Sequence, residues 1–432
     1  QLSLQAFYCI HAEGELMTDV SDSSTRHGLR ETATLVVILA FVMNLLSRGF
    51  GETFAVFLLP IESEMGWTRT TLAGIYAIYM GTHGLAAVVI GWFVDRVGPR
   101  IVYSVGLLIY GFAFLLAQFG VKAWHFYLTT GVMAGIAMTA IGMTTATVFI
   151  TRWYQGPRAS QLSPAIGIAY SGLGAGVILC VPITNQLIEI LGWRETYRML
   201  GLILCALAVI VFVLPWRKLQ VETPPHPEVG RFLGGRKDGH LRAALQTQTF
   251  WLLFMIMFIT AAAMYLVGPQ LVAYLVSVGF DSTVASLAFS INGFLTVFGI
   301  AGTGWLATHF GMKRVASVSY AMTITAFILL ACLSVTPVMV LLVLAILPLG
   351  LSQGARGPIV SVLVSRAFSG HGLGTIYGAM TMGVGLGGMS GAWLSGVFYD
   401  KTGGYILSYS VSVVCALIGV GLFWMIRESS NE

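Results

Sequence analysis

The chain has 432 residues, of which 56% are apolar and 9% charged, and its mean hydropathy is +0.83. A soluble domain carries about 25% charged residues, so this chain cannot cover a water-facing surface and needs lipid as its solvent. The formal charge of +5 is too small for a nucleic-acid-binding surface; it is expected as a bias between the loops on the two sides of a membrane.

Residues 1–33 read as a polar tail, without the charged-then-apolar pattern of a secretory signal. The chain opens on Gln1, and Met17-Thr18-Asp19 has the look of a start, so residues 1–16 are left out of the fold argument. A spanning helix needs about 20 mostly apolar residues. Such runs fall at 34–59, 71–94, 101–120, 125–150, 161–190 and 196–215, and again at 248–278, 283–308, 315–335, 338–364, 373–398 and 404–426. The expected organisation is therefore all-α: a six-helix bundle over 34–215, a polar linker over 216–246, a second six-helix bundle over 247–426 and a tail over 427–432. The linker holds Pro224, Pro225 and Pro227 with several glycines and basic residues, which rules it out as a span.

Charge sets the sidedness. With both termini on the same side, the loops and tails of that side carry sixteen Lys and Arg against five on the other, and two more lie inside helices. The positive-inside rule makes the richer side, and both termini, cytoplasmic. Trp67, Trp124 and Trp193 then fall at outer helix ends and Trp153, Trp216 and Trp424 at inner ends, where interfacial anchors belong. Cys9, Cys180, Cys205, Cys332 and Cys415 are scattered without metal-ligand spacing and read as small packing residues. No nucleotide loop, metal cluster or catalytic triad occurs, so neither a cofactor nor an enzymatic activity is expected.

The halves repeat. Gly91-Trp92 and Gly98-Pro99-Arg100, after the second run, recur as Gly304-Trp305 and Gly311-Met312-Lys313 at an offset of 213. Gly167, Gly172, Gly174, Gly176 and Gly192 recur as Gly378, Gly383, Gly385, Gly387 and Gly403 at an offset of 211. Two separate matches at nearly one offset indicate parallel six-helix repeats, with a substrate site between them near the bilayer midplane.

The segment Gly91-Trp92-Phe93-Val94-Asp95-Arg96-Val97-Gly98-Pro99-Arg100 resembles the G-x-x-x-D-R-x-G-x-R loop motif of the major facilitator superfamily. Gly49-Phe50-Gly51-Glu52-Thr53 with Gly66-Trp67, and the glycines from Gly167 to Gly176 with Gly192-Trp193-Arg194, are similar to helices 1 and 5 of the monocarboxylate transporter group and its bacterial relatives of the oxalate/formate exchanger type. The resemblance implies a major facilitator fold with pseudo-two-fold symmetry, and a bacterial inner-membrane location. It implies a conformational gate made by Gly91, Asp95, Arg96, Gly98 and Arg100; the ordinary reading of that loop is a positive-inside turn. In the second copy Thr308 and His309 replace the Asp and Arg, so any gate there is weaker. The animal monocarboxylate carriers have a lysine where Glu52 stands and an Asp and Arg pair on helix 8, whereas residues 296–300 here hold no charge.

Three charges lie deep in apolar runs: Arg48 and Glu52 on the first and Arg356 on the tenth. Each costs about 2.5–3.5 kcal/mol at the bilayer centre on insertion scales, so each needs a wet cavity or a partner. Arg48 and Glu52 are four apart and share a helix face. In the superfamily, helices 1, 4, 7 and 10 line the cavity, and all three charges fall on that set. Guanidinium groups suit a carboxylate, so Arg356 and Arg48 are expected to bind a small organic anion, with Asn44, Tyr265, Gln270 and Gln353 filling out the pocket. Glu52, the deep acid, is the expected proton-coupling group; with it ionised the cavity carries a net charge of about +1, and protonation adds one more, favouring an anion. The plain alternatives are a structural Arg48–Glu52 pair and an Arg356 satisfied by backbone carbonyls beside Pro358. His83 and Asn292 are read as interhelical hydrogen bonds.

The expectation is a secondary active transporter of a small organic anion, in the first place a monocarboxylate, working by alternating access with proton coupling or anion exchange. Its partners are that anion, the lipid bilayer and protons, and the carrier is expected to be monomeric. Two other readings stand beside it: an exporter of a neutral or cationic metabolite or drug, and a non-transporting membrane sensor.

Overall fold

In the computed structural model the described residues are 32–154, 161–216, 219, 243–354, 356–367 and 373–426. Most of the 216–246 linker, and the tails at 1–31 and 427–432, lie outside them. Ten described helices are long and apolar enough to cross a membrane. In the first bundle these are α1 (Thr32–Met65), α2 (Arg69–Val94), α3 (Arg96–Ala117), α4 (Ala123–Trp153), α5 (Pro164–Leu191) and α6 (Trp193–Val213). The second bundle has α7 (Gln248–Ser277), α8 (Ser282–Ala307), α9 (Met312–Leu333) and α12 (Ile406–Met425). Two more elements complete it: α10, in two pieces over Met339–Gln353 and Arg356–Ala367, and α11 (Leu373–Thr402). Strands are absent among the described residues. The fold is the expected one of two six-helix bundles.

Local chemistry explains where helices stop. Gly66, Gly192 and Gly311 take positive φ between consecutive helices, and Gly98 does so just inside α3, a conformation that a Cβ disfavours. Gly98 turns the chain just inside α3 with φ 79°, and Pro99 opens the regular part of that helix, where its missing N–H costs no hydrogen bond. Asp281 caps α8 by accepting from the Thr283 backbone N–H at 2.9 Å, and hydrogen bonds from the Thr283 backbone and side chain hold its carboxyl below the usual range.

The repeated glycines pack helices within each bundle. A Cβ on Gly172 or Gly176 of α5 would run into the Phe41 and Leu45 carbonyls of α1. In the second bundle, Gly387 and Gly391 of α11 meet the Phe258 and Ala262 carbonyls of α7 in the same way. Close backbone approach through small residues is how helices associate in lipid. Gly176→Val is expected to lower stability by about 1–3 kcal/mol or more through overpacking. Gly421→Ala, at a position with nothing within 4 Å, should leave melting in detergent unchanged or slightly raised. Equal melting shifts in the two variants would remove the packing role.

The bundles meet along two seams, α2 with α11 and α5 with α8. Gly84 lies against Gly385 and Gly396 against Arg69 and Thr70; on the other seam Gly174 lies against Gly293 and Phe294. A set of hydrogen bonds between the bundles lies at the end that carries the α1–α2 turn. Those bonds join Arg69 and Thr70 to Asp400, Arg69 to Tyr405, and Asn185 and Glu189 to Ser282. Toward the other end Gly167 and Gly302 meet nothing within 4 Å, and Val88, Ile168, Phe298 and Trp305 are more than half exposed. The structure is closed at one end and parted at the other.

Candidate functional site

The four helices expected to line the cavity are all irregular. Regular bonding in α1 is interrupted at Thr53, whose hydroxyl turns back to the Phe50 carbonyl at 2.7 Å. α4 contains a π-helical stretch, Tyr127–Met133, and breaks at Gly142 with ψ −151°. α7 ends at Tyr265 and resumes at Leu271 after a 3₁₀ turn, Gly268–Gln270, that contains Pro269. α10 stops at Gln353 and resumes at Arg356. Broken spanning helices free backbone polar groups, and within a membrane these are tolerated where they are buried in protein or line a cavity. Gly142, Gly268-Pro269 and Gly357-Pro358 are the residues in the sequence that mark three of these breaks.

Glu52 stands one residue before the α1 break, and Tyr265 stands at the α7 break. Arg48 Nη2 lies 2.8 Å from Glu52 Oε1, with the Arg48 side chain 28% exposed and that of Glu52 7%. The other carboxylate oxygen accepts a hydrogen bond from the Tyr76 hydroxyl of α2 at 3.0 Å. The Tyr76 ring is 5.4 Å from that of Tyr79 and 6.0 Å from that of Tyr265, which comes from the other bundle. Tyr265 also interacts with Arg48 across the seam. One acid, one partly accessible guanidinium and three tyrosines therefore form a single cluster spanning both bundles.

The remaining expected residues have other partners. Asn44 donates to the Ala169 carbonyl of α5 at 3.0 Å, tying α1 to α5. Gln270 donates to Ser395 of α11 at 2.9 Å, and Gln353 accepts from Asn292 of α8 at 3.1 Å. His83 pairs with Thr139 at 2.8 Å, an interhelical bond of the expected kind, as is the Asn292 bond. Arg356 is 4% exposed and faces α9. It donates to Thr323 Oγ1 at 3.1 Å and to the Ser352 carbonyl at 3.3 Å, and its guanidinium carbon lies 4.4 Å from the Tyr320 ring centroid. Nε has no hydrogen bond, and no acid pairs with Arg356 among the described residues. Among the described residues Arg48 and Arg356 share no partner.

At the parted end the Asp95 side chain lies outside what the structure describes. Arg96 stacks on Trp92, with 4.0 Å from guanidinium carbon to ring centroid. Arg100 donates to the Phe212 carbonyl at 3.2 Å. Both contacts stay inside the first bundle. A Cβ on Gly91 would meet the Thr144 side chain at 3.9 Å.

Sequence reasoning missed Tyr76 and Tyr79. With His83 they sit at spacings of three and four on one face of α2, a polar stripe in an apolar helix that pointed to this cluster.

Comparison with known proteins agrees with this architecture. The model of the Major Facilitator Superfamily matches residues 37–336 and 253–432. The chain is 25% identical over 392 residues to an uncharacterized MFS-type transporter, YcxA, of Bacillus subtilis, covering 88% of this chain and 91% of that one. It is 24% identical over 391 residues to monocarboxylate transporter 13 of Bos taurus, covering 90% and 88%. It is 25% identical over 405 residues to monocarboxylate transporter 11 of Homo sapiens, covering 89% and 81%. Among solved structures, a bacterial homolog of the human lysosomal transporter Spinster, in an inward-facing and unoccupied conformation, superposes with a TM-score of 0.70 at 16% identity, covering 91% of this chain and 96% of that one. That likeness is one of fold. With twelve helices in two repeated bundles and a matching family model along nearly its whole length, the chain belongs to the Major Facilitator Superfamily of membrane transporters.

Proposed function

We propose that this chain carries a small organic anion, in the first place a monocarboxylate, by alternating access, and that Glu52 couples the movement to protons. The observation that carries the reading is the Arg48–Glu52 pair, held beside broken helices and facing Tyr265 of the opposite bundle. Arg48 is the more accessible partner and offers a fork that fits a carboxylate. While Glu52 is ionised it occupies that fork. Protonating Glu52 cancels the pairing, leaves the Arg48 charge unmatched and makes room for an incoming carboxylate, so proton and anion are taken up together. Likeness to monocarboxylate transporters supports this choice of cargo. By the positive-inside count, the parted end is cytoplasmic and the state is inward-facing.

One observation favours a second reading. Because Arg356 packs toward α9, the cluster around Arg48 is neutral with Glu52 ionised, not +1 as the sequence count suggested. A neutral pair among Tyr76, Tyr79 and Tyr265 also suits an uncharged solute.

Uptake of labelled mono- and dicarboxylates and of neutral analogues into proteoliposomes, with and without an inward proton gradient, separates the two. For wild type the expected result is carboxylate uptake stimulated by the gradient. Glu52→Gln should keep exchange of internal for external anion and lose the stimulation. Uptake of neutral solutes alone would replace the anion reading with the second one. Full stimulation in Glu52→Gln would remove Glu52 from proton coupling.

A further inference from the structure

At the closed end the first turn of α2 is capped by a residue of the other bundle. Asp400, in the last turn of α11, accepts from the Arg69 backbone N–H at 3.0 Å through one carboxylate oxygen and from the Thr70 N–H at 2.8 Å through the other. A helix N-terminus leaves such N–H groups unpaired and favours a negative charge. Caps of this kind ordinarily come from the residue just before the helix, and α2 has one: Thr68 Oγ1 accepts from the Thr71 N–H. Asp400 therefore adds a second cap from across the seam.

The Arg69 side chain extends the same junction. It is 5% exposed. Nε is 2.6 Å from Glu62 of α1, Nη1 donates to the Tyr405 hydroxyl at 3.0 Å, and the guanidinium carbon lies 4.8 Å from the Tyr399 ring centroid. Gly396 lets α11 approach the Arg69 carbonyl closely. One arginine thus joins α1 and α2 to the α11–α12 corner.

We propose that Asp400 and Arg69 form a latch that holds this end shut and sets the balance between the two carrier states. When the bundles part here, Asp400 leaves the α2 N-terminus and Arg69 loses Tyr405 and Tyr399, while the Thr68 cap travels intact with α2. The latch requires a carrier that alternates between states but no particular cargo, so it stands or falls apart from the anion reading.

Hydrogen–deuterium exchange on the full chain in lipid nanodiscs, without substrate, tests it. In Asp400→Asn, loss of two charge-assisted hydrogen bonds should shift the balance by about tenfold. Exchange should then rise at residues 69–73, and also at 282–286 on the separate α5–α8 seam, and fall at the other end over 88–94 and 298–306. Thr68→Ala should quicken exchange only in the first turn of α2. Tyr405→Phe, which removes one bond of the junction and keeps the ring, should move all the segments in the direction of Asp400→Asn by a smaller factor, and it serves alone if Asp400→Asn does not insert. Changes confined to 69–73 in Asp400→Asn, or the same distant changes in Thr68→Ala, would show local capping and overturn the latch.

Discussion

Arg48→Ala is expected to abolish anion uptake and to cost about 3–5 kcal/mol of stability, the range for removing one partner of a buried ion pair. The stability loss follows from what remains. Glu52 is 7% exposed on its side chain and keeps one hydrogen bond, from Tyr76. Without Arg48 a nearly buried carboxylate is left without its ion-pair partner. The loss of uptake follows from the proposed role, since the fork that would hold the carboxylate is gone. A double variant separates the two effects. Arg48→Met with Glu52→Gln leaves no unpaired charge and should recover most of the stability, because a buried pair replaced by neutral groups is often near neutral in cost. It should not recover uptake. Thermal melting in detergent and proteoliposome uptake read the two effects independently. A double variant that transports would reduce the pair to a structural clasp, and an Arg48→Ala protein as stable as wild type would show that Glu52 does not need its partner.

Arg356→Met is expected to act in opposite directions on stability and on transport. Arg356 is a nearly buried cation with a tyrosine face, one hydroxyl, one carbonyl and no acid among the described residues. Removing a charge from water costs several kcal/mol, and neutral dipoles offset only part of that. Methionine is flexible enough to fill the space beside Tyr320 and carries no charge. Stability should therefore rise by about 1–4 kcal/mol, the gain seen when apolar residues replace buried ionic groups. A cation retained at such a cost points to use: in another state of the cycle Arg356 is proposed to reach the anion, and Arg356→Met should cut uptake by about tenfold or more, as removing a hydrogen bond to a charged group does. A variant that melts lower than wild type and transports normally would make Arg356 a structural anchor for α9 and α10.

The fold was legible because lipid imposes a simple code: spans of one length, glycine turns between them and two copies of one pattern. Pairing of Arg48 with Glu52 was legible too, since residues four apart on a helix have little choice but to meet. Helix rotation was not. In a soluble helix the apolar stripe shows which side is inside, but here lipid-facing, packed and cavity-facing sides are all apolar. The hydrogen bonds of Asn44, Gln270 and Gln353 to Ala169, Ser395 and Asn292 were therefore not legible. Arg356 shares that ambiguity, because nothing local says whether it turns to the cavity or to Tyr320. The breaks in α4, α7 and α10 left traces in Gly142, Pro269 and Gly357-Pro358, whereas the break at Thr53 comes from a hydroxyl that turns back on its own helix. The Asp400 cap joins residues 331 apart in sequence, and no local signal marks it.

The central claim, that the Arg48 cluster receives a carboxylate, is tested most directly by ligand-dependent melting of the purified carrier with pairs of molecules that differ only in charge. Each carboxylate of the panel is compared with its neutral amide at the same pH. Binding to the folded state raises the melting temperature in proportion to the logarithm of saturation. At least one monocarboxylate should raise it in wild type, its amide should not, and neither should act on the Arg48→Met, Glu52→Gln variant. Equal shifts from acid and amide, or a carboxylate shift that survives in that variant, would contradict the claim.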